Sequence, residues 1–436
     1  MDFAYILVIA FAVFLVVFIK TEFGLYLVIF SMLLSPKLGS GSGELAEGRR
    51  VVIRTEDLVL IVVAFTWLAK TAVNKELGLA RKTPLNRPIL WYMAVTTIAT
   101  LVGYATGTVH GLGGFFYVLK YMEYFVVYYI VANNLGDRSR AWRFVGAAFL
   151  TAAIVSVIGA AQIPSGQRVS APFEGTEGEP NTFGGYLIFM MALAGGIALE
   201  TQRLRVRLTC LALLALMALP FAYTLSRASF LAVPFVLLAF GFLSSRRRVV
   251  VGALLLLLVA APVIGVALLP KPVVNRILYT FEPEAGSATV KLGKVAFDPS
   301  TSARLISVQR GLDKWTRRPI LGYGVTGTEL MDMPYARTLV ETGIVGLAVF
   351  LWLAWSALKA GLGSFRTLRD PDERGLALGF VAGTIGLLVH AAGANTFIIV
   401  RIMEPFWFFA AVVVSLPGLA AVPASAPPLR QWRRVA

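Results

Sequence analysis

Four stretches carry the side chains whose types could do chemistry. YTLSRASF, residues 223–230, sets Arg227 at the start of an apolar run, and STSARLISVQRGLDKWTRRP, residues 300–319, carries Arg304 and Arg310. MDMPYARTLVETGIVGL, residues 331–347, places Asp332, Arg337 and Glu341 just ahead of another apolar run. EGTEGEPNTFGGYL, residues 174–187, sets Glu174, Glu177 and Glu179 beside a glycine-rich helix start. A guanidinium fork matches phosphate oxygens bidentately, so Arg227 and Arg304, from distant segments, could grip one diphosphate, with Arg337 as a third candidate. Asp332 has the type of a proton acceptor. Glu179 and Asn181 could hydrogen-bond sugar hydroxyls.

Each has a plainer reading. Arg227 and Arg337 could snorkel, and Arg304 could sit on a solvated helix face. Asp332 could cap a helix ahead of Pro334, and Asn181 could cap the one that Pro180 stiffens. Glu174 and Glu177 read as a solvated acidic loop.

These residues are spaced by long apolar runs. Of 436 residues 57% are hydrophobic and only 15% charged, whereas soluble domains are about a quarter charged. FAYILVIAFAVFLVVFI and RVVVGALLLLLVAAPVIGVALL are long enough to cross a hydrocarbon layer as helices. The fold class is therefore all-α and polytopic, and the alternating short segments of a transmembrane barrel are not seen. Apolar segments fall at 3–20, 23–35, 56–73, 88–107, 113–133, 141–161, 182–200, 206–223, 228–244, 249–269, 336–358, 375–396 and 398–420. Residues 3–19 lack a small-residue cleavage site after them and read as a retained helix.

Basic connectors at Lys70–Arg87, Arg138–Arg143, Arg203–Arg207, Arg246–Arg248 and Lys359–Arg374, with a tail bearing Arg430, Arg433 and Arg434, all go to the cytoplasm by the positive-inside rule. The 23–35 segment is short, which predicts about twelve spans plus an N-terminal half-segment, with both termini inside. Three regions follow. Residues 1–269 hold spans with short loops, 270–334 form one long outer loop, and 335–436 hold the last spans and the basic tail. The 65-residue outer loop has nine Lys and Arg against six acids, which suits an anionic ligand arriving from outside or from the outer leaflet. Within it Leu305, Val308, Leu312 and Trp315 recur at helical spacing, predicting an amphipathic surface helix capped by Ser300 or Thr301, with Arg304 and Lys314 on its polar side.

Other chemistry is disfavoured. The single cysteine, Cys210, lies in an apolar run, so neither a disulfide framework nor a cysteine metal site is expected. Only two histidines occur, and His390 reads as a packing residue. Lys120 and Glu123 share a helix face and should pair. Neither a Walker nor a GxGxxG signature is present. The net charge of +16 is accounted for by the loops, so nucleic acid is not an expected partner.

LSRASF at 225–230, ARLISVQRGLDKWTRRPILGYGVTG at 303–327, Tyr335 with LVETGIVGL to 347, MEPFWFF at 403–409 and EPNTFGGYL at 179–187 together resemble the O-antigen ligase and polymerase superfamily of bacterial envelope glycosyltransferases. Each motif is loose alone; their order and spacing, over nearly the whole chain, carry the likeness. The resemblance implies a GT-C-like transferase of the cytoplasmic membrane that works at the outer face without metal or cofactor. Its donor would be an oligosaccharide on undecaprenyl diphosphate, held among membrane lipid. Its acceptor would be lipid A–core for a ligase, or a second lipid-linked glycan for a polymerase. Arg227 and Arg304 match the arginines that hold the donor diphosphate, and Arg310, Tyr335, Arg337, Glu179 and Asn181 join as expected substrate contacts.

The chain departs from the ligase pattern at one place. Ligases commonly carry a His-Asn pair where Asp332 and Met333 stand relative to Gly343, and the histidine is taken as the base. Aspartate there is closer to polymerase-type members, so the expected activity is polymerisation, with Asp332 as base. A lipid-linked glycan flippase is the main rival, for which inverted repeats and midplane charges would be the marks. A scaffold for envelope assembly is the third reading.

Overall fold

The structure, a computed structural model, describes residues 3–37, 54–73, 81–174, 178–246, 248–252, 270–281, 290–292, 295–329 and 331–419. Most of the 36–55 loop, most of the 249–269 segment, Glu177 and the basic tail lie outside the described residues.

Helices stand where the apolar runs predict them: α1 Phe3–Ile19, α2 Thr21–Leu34, α3 Thr55–Val73, α4 Asn86–Ala105, α5 Gly113–Asn134, α6 Arg138–Gln162, α7 Pro180–Glu200, α8 Leu204–Tyr223 and α9 Arg227–Leu243. Then come α10 Lys271–Leu278 and α11 Pro299–Trp315 in the long loop, followed by α12 Pro334–Thr367, α13 Pro371–His390 and α14 Val400–Ser415. A two-residue antiparallel ladder, β1 Lys291–Leu292 with β2 Val295–Ala296, precedes α11. Seven of the described helices, α4 to α8, α12 and α14, are long and apolar enough to cross a membrane. The chain is an all-helical, polytopic membrane protein.

Polar contacts sort to the two ends of the bundle. At one end Lys70 Nζ meets Thr21 Oγ1 at 3.0 Å, Arg140 meets Glu22 at 2.7 Å, Arg138 meets Glu373 at 3.4 Å and Arg203 meets Asp372 at 3.4 Å. Glu200 accepts from Ser244 and Ser245 there as well. The basic connectors thus gather at one basic end. At the opposite end lie Arg54 with Glu174, Arg227 with Asp298, and Arg304 with Asp332.

The short segment expected at 23–35 is α2, which falls below the length of the seven candidate spans. α2 has 14 residues, about 21 Å of helix at 1.5 Å per residue. Glu22 in its first turn meets Arg140 at the basic end, while Ser35 past its last turn bonds Glu56 and Lys37 bonds Glu174 at the opposite end. α2 therefore joins both ends. Its polar flanks find partners inside the protein, so a full apolar span is not required.

At the centre, α7 and α13 approach backbone to backbone. A Cβ at Gly196, Gly375 or Gly379 would land on the facing main chain, so glycine is what permits the contact. α14 lies beside them with its membrane-length window 83% buried.

α12 is broken at Gly343, whose φ of 68° and ψ of −171° lie in a region essentially reserved for glycine. The break lets the 319–326 loop bond the opened turn: Tyr323 N donates to Val340 O at 3.0 Å, Gly324 N to Glu341 O at 2.8 Å and Ile344 N to Pro319 O at 2.8 Å. Glu341 Oε1 accepts from Thr326 N at 3.2 Å and pairs with Arg337 at 3.2 Å.

The surface helix is present as α11, but its cap is Asp298 and not Ser300 or Thr301. Asp298 accepts from Ser300 N at 3.2 Å and from Thr301 Oγ1 at 2.6 Å. It also takes Arg227 Nη1 at 2.7 Å and Nη2 at 3.1 Å. Ser302 and Gly311 face the protein, leaving Leu305 and Leu312 outward. Burial raises the Asp298 carboxyl, but the bonds from Arg227 and Thr301 outweigh it and hold the group below the usual carboxylate range.

Gly343→Ala should cost on the order of 1–3 kcal/mol for the backbone alone, with the new Cβ also striking Ile320 O, and should lower the thermal midpoint in detergent. The Asp298 contribution is full above its unfolded value, about pH 3.9, and is lost as pH falls from there through the lower folded value. Amide-exchange protection of α11 should hold from neutral pH to about pH 5 and drop below about pH 4; Asp298→Asn should remove that acid step.

Candidate functional site

The LSRASF turn is built under local strain. Leu225 has φ 50°, a left-handed conformation uncommon for a residue with a side chain. Ser226 then caps α9, its hydroxyl accepting from Ser229 N and bonded by Ser229 Oγ at 2.8 Å. Gly184 of α7 lies so close that a Cβ there would strike Ser229 Oγ, while one at Gly185 would meet Ile402 and His390. Arg168 secures the turn from outside, donating from Nε to Thr224 O at 2.9 Å and from Nη2 to Leu225 O at 3.3 Å.

Arg227, at the first position of α9, neither snorkels nor stands free. It forks onto Asp298 and reaches Thr280 Oγ1 at 2.9 Å. Arg304 lies on the neighbouring turn of α11, and its Nε is 3.5 Å from Asp332 Oδ2. Two residues that the sequence reading counted only as loop charge join them. Arg168 is pushed down to about 10 by burial and by the nearby Arg276, Arg227 and Arg304. Arg276 on α10 is lowered by burial and by Arg227, with Asp298 opposing. Four guanidinium groups from four separate segments therefore share one local field, faced by the carboxylates of Asp298 and Asp332. Such a concentration of donors suits an anion carrying several oxygens.

Asp332 does not cap α12. That place is taken by Met333, with no side-chain cap bond, and Pro334 begins the helix. Asp332 instead accepts from Asn395 Nδ2 at 3.1 Å, leans on Arg304, and has a side chain 47% exposed. It is a carboxylate at the edge of an arginine cluster, open to solvent and steered by one amide.

The other expected contacts separate. Asn181 is not the cap of α7, which is Glu179; its Oδ1 accepts from Arg168 Nη2 at 3.4 Å, tying it to the cluster. Glu179 takes a bond from Thr182 Oγ1 at 2.8 Å. Tyr335 donates to Leu388 O at 2.6 Å. Arg310 is exposed on α11. Arg337 is only 2% exposed, paired with Glu341 and 5.9 Å from the Tyr117 ring, so it supports the α12 break instead of snorkelling or reaching for phosphate. His390 is buried with Nδ1 2.7 Å from Thr396 Oγ1, a packing role as expected.

Glu174 is not solvated. It is buried, gripped by Arg54 at 3.1 Å and Arg401 at 3.1 Å, and bonded through its carbonyl to Lys37 at 2.9 Å. The expected Lys120–Glu123 pair forms at 3.0 Å, and Asp57 joins it as a third member. Among the described residues no group of His, Cys, Asp and Glu is placed to hold a metal ion.

No curated protein matches the chain. Residues 212–338, which contain Arg227, Arg276, Asp298, Arg304 and Asp332, match the family model described as O-antigen ligase. That match is consistent with the O-antigen ligase and polymerase superfamily and supports a membrane protein that processes glycans as an O-antigen ligase or polymerase does.

Proposed function

We propose that the chain is a glycosyltransferase that polymerises an undecaprenyl-diphosphate-linked glycan at the outer face of the bacterial cytoplasmic membrane. The observation that carries this reading is the placing of Asp332 beside Arg304 at the rim of a four-arginine cluster. In the proposed reaction an acceptor hydroxyl attacks C1 of the donor sugar, the bond from C1 to the phosphate oxygen breaks, and the diphosphate leaves with the electron pair. Arg227 and Arg304, assisted by Arg168 and Arg276, stabilise the charge gathered on that leaving group. Asp332 takes the proton of the attacking hydroxyl, with Asn395 holding its orientation. Fixed guanidinium groups supply the charge stabilisation for which other transferases use a metal ion. The gathering of the basic connectors at the far end supports the outward orientation of the site.

The ligase reading, with lipid A–core as acceptor, draws support from the description of the matching family. The carboxylate at 332, where ligases commonly have histidine, favours polymerisation.

Incubating purified protein with a lipid-linked repeat alone should give a glycan ladder; product only after lipid A–core is added would establish the ligase instead. Arg227→Ala and Arg304→Ala should each lower transfer by about 100-fold or more while eluting as folded protein on size exclusion. Full activity in both would remove the clamp. Asp332→Asn should be severely impaired, with normal rates marking the carboxylate as structural. Transfer should survive EDTA unchanged.

A further inference from the structure

At the same end of the bundle as the arginine cluster, α3, α5, α7 and the 398–401 segment line an open cavity of about 180 Å³. Its wall is unusual for a membrane bundle. Arg54, Lys120 and Arg401 line it together with Glu56, Glu174 and Glu179, and Tyr117 is part of the lining. Behind the wall, Asp57 and Glu123 hold Lys120, and Ser35 bonds Glu56. Ionisable groups at membrane depth are costly and persist where they bind or transport something. Two of them are left with capacity: Arg401, 3% exposed, has an Nε without a hydrogen-bond partner, and Arg54 has an unpartnered Nη1.

The lining balances three cations against three carboxylates, so the ligand needs no net charge. It needs many donors and acceptors on a small ring, with an apolar face to lie on an aromatic side chain. A pyranose has those features: vicinal hydroxyls donate to carboxylates and accept from guanidinium groups, and the ring's C–H face rests on Tyr117. Position supports the same ligand. Glu179 and Thr182 line the cavity, while Asn181 between them is bonded by Arg168 of the arginine cluster. On the far side, the segment that supplies Ile398 to Arg401 begins near Asn395, which bonds Asp332. The cavity therefore adjoins both the anion cluster and the exposed carboxylate.

We propose that this cavity is a glycan subsite that takes a pyranose unit of the lipid-linked repeat, read through Arg54, Lys120, Glu174, Glu179, Arg401 and Tyr117. It rests on the transferase reading given above. The sugar could belong to the donor or to the acceptor, and the two are separable by experiment.

The probe is the repeating oligosaccharide released by mild acid from the host's lipid-linked glycan, which carries no diphosphate. Saturation-transfer NMR with the full-length protein in nanodiscs should show it bound. The double variant Glu179→Ala/Thr182→Val, which removes hydroxyl partners without opening the buried ion pairs, should weaken it at least tenfold. Arg227→Ala should leave that binding unchanged, because the free repeat has no phosphate. Equal binding by the double variant and wild type, no detectable binding by wild type, or an equal loss in Arg227→Ala would overturn the subsite. Sugar-free undecaprenyl diphosphate, titrated separately, reports on the arginine cluster, so a failure of the transferase reading shows there and not in the oligosaccharide arm. With the subsite established, preloading with the intact lipid-linked repeat assigns it. Competition places the donor sugar in the cavity, and simultaneous binding places the acceptor there.

Discussion

One carboxylate ties the arginine end of the bundle together. Asp298 ends the loop before α11, satisfies the first amides of that helix, and receives both Nη atoms of Arg227 from the start of α9. Capping and ion pairing usually contribute separately; here a single side chain does both, so the position of α11 and the aim of Arg227 are one degree of freedom. Arg304 rides on that helix and Asp332 leans on Arg304. Without Asp298, residues more than seventy positions apart would have no common frame, and Arg227 would have to choose between solvent and its three neighbouring cations.

The electrostatics of this end follow from where the charges have company. The arginine cluster holds more cations than carboxylates, and Arg168 and Arg276 are both lowered, first by burial and then by neighbouring guanidinium groups. The neighbouring ionic wall is balanced, with Glu56 and Glu174 facing Arg54 and Glu174 also facing Arg401. A diphosphate and a neutral sugar ring ask for these two different environments. An excess of cations and a balanced ionic wall lie near one another, linked by the first turn of α7, whose Asn181 is bonded by Arg168.

Much of this was legible in the sequence because lipid imposes a simple pattern. Apolar length located the described helices, though α12 runs to Thr367, past the expected 358, and α13 stops at His390, short of 396, and loop arginines sorted the connectors that meet at the basic end. Arg227, Arg304 and Asp332 were recognisable because charge beside an apolar run is conspicuous. What escaped was pairing across the fold. Glu174 looked solvated because Arg54 and Arg401, its partners, are 120 and 227 residues away in the chain. α2 looked too short to reach both ends because the ion pairs that finish its path lie on other helices. Ser300, Thr301 and Asn181 were reasonable caps by type, but Asp298 and Glu179 precede the prolines that open each helix, and proline at the first position fixes where the cap must be. Arg168 and Arg276 carried no local signal beyond their sign.

The glycine contact between α7 and α13 bears on more than packing. Where two backbones touch, neither helix can slide or tilt without collision, so the pair behaves as a single strut. α7 carries Glu179 and Asn181 at its outer tip, and α13 leads directly into the Asn395 turn. The gap between the ionic wall and the Asp332 carboxylate is thereby written into main-chain geometry, not into adjustable side chains. On the proposed function, a site framed in this way would act as a ruler: it would fix how far along a glycan the reacting hydroxyl stands from the ring that is gripped.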